Sequence, residues 1–557
     1  MTTGDGLHSG HRMTPLARVL SLLRPDLRDI WIVVIFAVAI GVLNLSVPVV
    51  AMAVVNTAAL QTLGQQVLVL SAALFVALAL AAFMQLLQTI TVEYIQQRIF
   101  VRVVDDLAYR LPRVDSQAFD EQHGPELVNR FFDVLTVQKA SATLLLEGVM
   151  IVLQTLIGLL LLAFYDNALI GYDVILLLSL VFMVFVLGRG AVGSAIQESI
   201  MKYRVAGWME EVARHRIAFK LAGGPALARS KADALTGDYL EARHSHFRTV
   251  IRQYGFALFL QSVAIAGLLA LGGYLVSQGQ LTLGQLVAAE VVVTLVVASF
   301  TKFGKQFESF YDLLAAADKL GHLIDLPLER AGGEPHPGAA RGARVAVQDV
   351  TFAYELHGRP AIQRFNLTLE PGEHVALTGP NGSGKSTLVE LLFGLRQPEQ
   401  GRIEIDHLDL RDLSLDSVRA QTALAKGVEV FEGTVLENLR MGREAITLLE
   451  ARVALESVGL LQTILELPGG LQTAMGTGGA PLSLGQVNRL MLARAIVGRP
   501  RLLILDETFD TMDRGIRDRV LPAIMARDTP WTLLVVTHSP EIAAMCDRTI
   551  VLERPKI

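Results

Sequence analysis

The chain has 557 residues, with 49 Lys and Arg against 54 Asp and Glu and a net charge of −5, so no basic excess draws it to nucleic acid. Hydrophobic residues make up 52% and charged residues only 18%, below the roughly 25% charged of soluble domains, which excludes a wholly soluble protein. The length calls for more than one domain, and the long apolar stretches stop near Phe300, so a membrane half is followed by a soluble half. The single cysteine, Cys546, has no partner for an internal disulfide and fits a reducing cytosol.

The opening segment, Met1 to Asp29, mixes Arg12, Arg18, Arg24 and Arg28 with Asp5, Asp26 and Asp29, and no small-residue cleavage site follows a short apolar core. It does not read as a cleaved signal, and it is too short for a fused peptidase, so none is expected. A membrane span needs about 20 mostly apolar residues. Six segments meet or approach that length: Ile30 to Val55, Val67 to Ile90, Leu144 to Phe164, Ile170 to Leu187, Tyr254 to Leu275 and Leu281 to Phe300. The fourth is the weakest, because Gly171, Tyr172 and Asp173 shorten its apolar core.

The connections set the orientation. Asn56 to Gln66, Tyr165 to Asn167 and Gly273 to Gln280 carry no Lys or Arg and are expected outside. The second connection holds Arg98, Arg102, Arg110, Arg113, Arg130 and Lys139, and the fourth is equally basic, so both should be cytoplasmic together with both termini. Helical patterns at Val92 to Leu111 and Gln197 to Leu221 continue the flanking spans, and turn signals follow at Asp115 to Gly124 and at Gly223, Gly224 and Pro225. Ile95, Ile99, Val103 and Leu107 recur at helical spacing, which a solvated loop does not need and a packed helix does. Two carboxylates fall inside apolar segments. Glu147 lies near a cytoplasmic end, within reach of water. Glu290 lies near mid-span and is expected to face a cavity or to hydrogen-bond a neighbouring helix.

Residues Ala331 to Arg344, AGGEPHPGAARGAR, form a linker between a transmembrane domain, 1–330, and a soluble domain, 345–557. In the latter, strand-like runs at His374 to Thr378, Leu502 to Asp506 and Thr532 to Thr537 alternate with helical ones, which predicts an α/β sandwich. Directly after the first of these strands stands Gly379-Pro-Asn381-Gly382-Ser383-Gly384-Lys385-Ser386-Thr387, a phosphate-binding loop at the head of a helical run, Leu388 to Phe393. Its glycines let successive N–H groups surround phosphate oxygens, Lys385 adds a point charge at the β/γ-phosphates, and Ser386 offers a hydroxyl to Mg²⁺. A second apolar strand ends in Asp506, which suits the Mg²⁺ shell, and Glu507, which can polarise an attacking water. Together the two motifs point to nucleotide hydrolysis.

A third element, Leu482-Ser483-Leu484-Gly485-Gln486, precedes the helical run RLMLARAIVG, and His538 follows the strand TLLVVT. In this order the motifs resemble those of the ATP-binding-cassette proteins, and six spans ahead of one cassette resemble the half-transporters of the exporter class over nearly the whole chain. The resemblance implies a P-loop ATPase domain fused to a six-helix membrane domain with long cytoplasmic extensions, residing in the inner membrane. It also implies a dimer in which each ATP lies between the phosphate loop of one copy and the signature element of the other. By resemblance, Tyr354 stacks on adenine, Ser483, Gly485 and Gln486 meet the γ-phosphate from the second copy, and Asp513 links the two sites. Glu507 is then the general base, and His538 and Lys385 act on the γ-phosphate, with ATP and Mg²⁺ as ligands.

Two positions depart from the family pattern. Leu484 replaces a signature glycine, which matters if that position needs an unusual φ. Lys426 stands where the family carries a glutamine that couples metal and attacking water to the membrane helices, and a lysine there can approach a phosphate or pair with a carboxylate. The expected function is ATP-driven export of a peptide, lipid or amphipathic small molecule by a homodimer embedded in membrane lipid. An ATP-gated or regulatory membrane protein and one half of a heterodimer are the alternatives, the second disfavoured because Glu507 and His538 are both present.

Overall fold

At 1.5 Å of rise per residue, about 20 residues cross the 30 Å of a bilayer's hydrocarbon, and several helices of this chain are more than twice that long. In the computed structural model, which describes residues 13–59, 64–120, 129–339, 341–354 and 360–554, they are Gly64–Arg110 with 47 residues, Gly224–Ser277 with 54 and Leu283–Ile324 with 42. Each therefore extends well beyond a bilayer, as the helical continuation of the apolar spans predicts. The described residues divide into two units. One holds the residues up to Arg113 and those between Asp120 and Leu326; the other holds Val114–Asp120 and the residues from Pro327 onward.

In the first unit, five helical segments are long and apolar enough to cross a membrane: Pro15–Thr57, Gln65–Arg113, Arg130–Ala163, Asn167–Leu187 and Gly224–Ser277. The sixth expected span falls on a shorter apolar stretch, Leu283–Ser299, that opens the helix running to Ile324. The fourth span, weakest by composition, meets the same standard as the others. The first span is interrupted: Leu27–Asn44 ends, and Ser46–Ala59 begins anew, because Pro48 has no N–H for the carbonyl of Asn44. The turn at Gly223 leads into the helix Gly224–Ser277, as expected, whereas the helix expected to reach Leu221 stops at Arg214 and gives way to a short 3₁₀ turn, Ala218–Lys220. Of the other turn signal, Asp115 caps a 3₁₀ turn at Ser116–Phe119, and Gly124 lies outside the described residues.

The apolar stripe of the second connection is core. Ile95, Ile99, Val103 and Leu107 are all buried, packed with Val134, Val137, Leu313, Ala317 and Leu320 from other helices. At membrane level Ile151, Leu162, Leu176, Ala264, Val293 and Val297 make a second cluster, while Phe75, Leu160 and Phe185 point outward, as lipid-facing side chains do. Glu147 is exposed and its Oε2 accepts a 2.7 Å hydrogen bond from Gln306, so its partner lies on another span. Glu290 is half-buried and has no hydrogen bond or ion pair among the described residues.

The second unit is built on two sheets. Strands β1 (Val345–Ala353), β2 (Pro360–Leu369), β4 (Gln400–Ile405) and β5 (Leu408–Asp409) form an antiparallel sheet in the order β2-β1-β4-β5. Strands β3 (His374–Thr378), β6 (Thr422–Lys426), β9 (Leu502–Asp506), β10 (Thr532–Val536) and β11 (Arg548–Val551) form a parallel one in the order β11-β3-β10-β9-β6. A short pair, β7 (Gly433–Thr434) and β8 (Ala474–Met475), lies apart. Helices cover both faces of the parallel sheet, so its central strands are apolar throughout. Alternation divides their side chains between two cores: Leu502 and Ile504 face the helix Lys385–Leu392 and the antiparallel sheet, while Leu503 and Leu505 face the helices Leu448–Ser457, Leu484–Val497 and Arg514–Ile524. All the parallel strands run the same way, so the residues leaving β3, β6, β9 and β10 emerge along one edge, the place where open α/β sheets hold ligands.

Candidate active site

The phosphate loop leaves β3 and turns into the helix Lys385–Leu392. Gly379 and Gly384 have φ of +150° and +95°, and a Cβ at either would lie 2.4 Å from a backbone oxygen, of Leu552 and of Ala361 respectively. Only glycine fits both conditions. The Lys385 side chain is 6% exposed and curls back so that Nζ donates to the carbonyls of Gly379 at 2.9 Å and Pro380 at 3.2 Å. An incoming phosphate offers this ammonium a stronger acceptor than either carbonyl. The Ser383 hydroxyl is buried without a partner, Asn381 and Gly382 are exposed, and the Asn381 carbonyl accepts from Arg554.

At the end of β9, Asp506 is 7% exposed, its Oδ1 has no hydrogen-bond partner, and the Ser386 hydroxyl lies close to its carboxylate. Burial raises its pKa above the usual carboxylate value, and the nearby Lys426 ammonium opposes that rise. An orphaned carboxylate oxygen beside a hydroxyl, at the mouth of a phosphate loop, is a hard oxygen donor set of the kind Mg²⁺ takes up with one or two protein ligands and nucleotide oxygens. No group of three or more His, Cys, Asp or Glu able to hold a metal by themselves exists among the described residues.

The next residue, Glu507, has φ +54°, uncommon for a side-chain-bearing residue, and its N–H donates to the Val536 carbonyl at 3.0 Å. That kink brings its carboxylate to the sheet edge, where Oε1 lies 3.3 Å from Nε2 of His538 with both side chains about half exposed. A carboxylate and an imidazole thus stand side by side next to the phosphate loop. Asp510, which the sequence reading did not single out, fixes this arrangement: its two oxygens accept from the Thr537 hydroxyl at 2.6 Å and the His538 N–H at 2.8 Å. The only sign of it in the sequence is an acid four residues beyond Asp506.

Tyr354, just past β1, is half-buried; its hydroxyl lies 3.0 Å from that of Thr387, and Phe352 meets its ring edge-on at 5.2 Å. Lys426 ends β6 in register with Asp506, and its Nζ donates to Glu390 at 2.8 Å, so of the two expected roles it takes the carboxylate pair. Ser483 caps the helix Leu484–Val497 in a reciprocal capping box with Gln486. Leu484 sits in the first helical position, away from positive φ and 68% exposed, so it meets no backbone strain, and Gly485 is open on its Cβ side. Among the described residues no hydrogen bond or ion pair joins Ser483, Gly485 or Gln486 to the phosphate loop. Asp513 precedes the helix Arg514–Ile524, exposed.

The family model described as ABC transporter matches residues 362–510, and the one described as ABC transporter transmembrane region matches residues 30–204. A Ralstonia nicotianae protein named ATP-dependent lipid A-core flippase is 32% identical over 424 residues, which cover 74% of this chain and 71% of that protein. The chain belongs to the ABC transporter family. The transporter is also 27% identical over 497 residues, 88% of this chain and 78% of the relative, to a Mycobacterium bovis protein named fatty acid ABC transporter ATP-binding/permease protein. Its fold matches that of a solved bacterial Atm1-family ABC exporter with ATP bound, with a TM-score of 0.84, 21% identity and coverage of 96% and 95% of the two chains. The transporter is an integral membrane protein that binds ATP and couples its hydrolysis to export.

Within this family the lysine at Lys426 has a measurable consequence. Lys426→Gln releases Glu390 from a partly exposed pair worth no more than about 1 kcal/mol, so the ratio of substrate-stimulated to basal ATPase should shift by up to about fivefold while basal turnover changes less. Identical stimulation ratios in the two proteins would make the lysine purely structural.

Proposed function

We infer that the transporter works as a homodimer in the inner membrane, with both termini cytoplasmic, and moves an acyl-chain amphipath from the cytoplasmic side outward. The observation that carries the ATP-driven part is the meeting of the phosphate loop, Asp506, Glu507 and His538 along one edge of a parallel sheet. The substrate class is supported by the names of two relatives, a lipid A-core flippase and a fatty acid transporter. In this reading residues 1–330 are the transmembrane domain, 331–344 the linker and 345–557 the nucleotide-binding domain.

Tyr354 stacks on adenine, and the loop from Gly379 to Thr387 wraps the phosphates with its N–H groups while Lys385 leaves its own loop carbonyls for the β/γ-phosphates. Ser386 and Asp506 would hold Mg²⁺, which would supply positive charge against the phosphates. Glu507 accepts the proton of the attacking water, and His538, 3.3 Å from it, contacts the γ-phosphate. Ser483, Gly485 and Gln486 of the second copy supply a hydroxyl and N–H groups at a helix N-terminus, and Asp513 connects the two sites. Closure of the two cassettes turns the cavity outward, and hydrolysis resets it.

The test is reconstitution in liposomes containing a fluorescent phospholipid, with leaflet exchange read by quenching from outside. MgATP-dependent movement that stops when hydrolysis is blocked supports the reading; steady ATP turnover without movement of any amphipath overturns export of lipids and favours an ATP-responsive regulator. The same liposomes test Glu290. Its half-buried carboxylate, without a partner among the described residues, suits a substrate bearing an amine or hydroxyl headgroup, so Glu290→Gln should lower transport of such a lipid about 10- to 100-fold, the worth of one hydrogen bond to a charge, with unchanged melting temperature. A clear drop in melting temperature with unchanged transport per folded molecule would make Glu290 structural instead.

A further inference from the structure

The helix behind the phosphate loop carries Glu390, and the loop that follows carries the buried Arg396. Its guanidinium is 7% exposed. Nε donates to Glu390 at 2.6 Å, and the two terminal nitrogens form a bidentate pair with Asp120 at 2.7 and 2.8 Å. Its central carbon lies over the ring of Tyr354, 4.7 Å from the centroid. The other oxygen of Glu390 accepts from Lys426, whose strand position is in register with Asp506. Arg396 therefore touches the aromatic ring at the base end of the nucleotide site and, through Glu390, reaches Lys426 on the strand beside the acidic one at its phosphate end.

Asp120 is not part of the cassette sequence. It belongs to the connection between the second and third spans, yet Val114–Asp120 packs with the second unit. The segment is fastened at its start as well, where Val114 bridges Leu328 and the Asp115 N–H donates to the Pro327 carbonyl at 2.9 Å. Its far end rests on the bidentate grip of Arg396. A planar guanidinium held on three sides has one geometry, so movement of Tyr354 or of the Lys426–Glu390 pair changes how Asp120 is held.

We propose that Arg396 is the positioning residue through which the state of the nucleotide site reaches the inter-span segment Val114–Asp120, by its joint hold on Tyr354, Glu390 and Asp120. The inference rests on the nucleotide-site reading above. It differs from a lysine-for-glutamine exchange at the metal side, because the bidentate contact with the segment is made by Arg396 itself and not by Lys426.

The experiment uses the full chain in lipid nanodiscs, with Cys546→Ser as background and spin labels at Val101→Cys and Phe247→Cys, two exposed positions on long helices of the first unit. The distance change on adding MgATP and vanadate reports the response of the membrane unit. Asp120→Asn is expected to keep the melting temperature, the affinity for a fluorescent ATP analogue and basal ATPase within about twofold, and to cut the responding fraction about tenfold, as loss of a charged bidentate contact implies. Asp120→Glu, which keeps the carboxylate, restores most of the response. Arg396→Gln loses it to the same degree, and the double variant loses no more than either single, because the pair acts as one unit. A full response in folded Asp120→Asn, or losses that simply add in the double variant, would overturn the proposal. A wild-type chain that binds no MgATP would overturn the nucleotide-site reading, and the proposal with it.

Discussion

Glu507→Gln should bind MgATP with near wild-type affinity and lose about 10² to 10⁴ of its hydrolysis rate, the usual cost of removing a general base. The amide keeps the shape of the carboxylate and its place beside His538, where Oε1 and Nε2 are 3.3 Å apart, but it has no basic lone pair for the proton of the attacking water. The backbone is indifferent to the change: the φ of +54° and the N–H bond to Val536 belong to the main chain, and glutamine accepts that conformation about as readily as glutamate. With chemistry blocked after binding, closed dimers should accumulate, visible as a shift in size-exclusion or cross-linking with ATP present. Phosphate release at the wild-type rate, measured on protein shown to be folded, would remove Glu507 from the role of base.

Lys385→Ala acts one step earlier. The ammonium is 6% exposed and already desolvated among the carbonyls of Gly379 and Pro380, so transfer to a phosphate exchanges two neutral acceptors for a charged one. Charge-assisted hydrogen bonds are worth about 1.5 to 3 kcal/mol, which translates to an ATP affinity weaker by about 10- to 100-fold. The two carbonyls that lose their donor sit at the mouth of the loop, where water can replace it, and the fold should survive. Titration with a fluorescent ATP analogue measures the difference. Equal affinities would mean that the lysine serves the loop's conformation and not the nucleotide.

The two variants separate binding from chemistry, and both concern residues that the sequence placed without help. His538 is singled out only by resemblance to the family, whereas the phosphate loop and the acids after β9 are legible because each is a local signal, a spacing of glycines or an apolar run with acids at its end. The same holds for the stripe Ile95, Ile99, Val103 and Leu107, whose helical period already said that one face is covered, and for the start of a helix at Gly223 to Pro225. Local geometry follows from local chemistry, since backbone conformation and periodic burial are decided by neighbours a few residues away.

What needed the tertiary structure is everything that depends on strand order and on pairs remote in sequence. Lys426 is ambiguous by itself, and became a partner of Glu390 only because the helix after β3 lies near the end of β6. Asp510 looks like one more acid until the parallel pairing of β9 and β10 sets it under the backbone of His538. Glu147 finds Gln306 across 159 positions, and Arg396 finds Asp120 across 276. The exposure of Leu484 and its ordinary helical φ resolved a doubt that residue type alone had raised. A sequence states which groups are available to pair, but a hydrogen bond is selected by distances of a few tenths of an ångström between elements, and those distances are fixed by how helices and sheets pack.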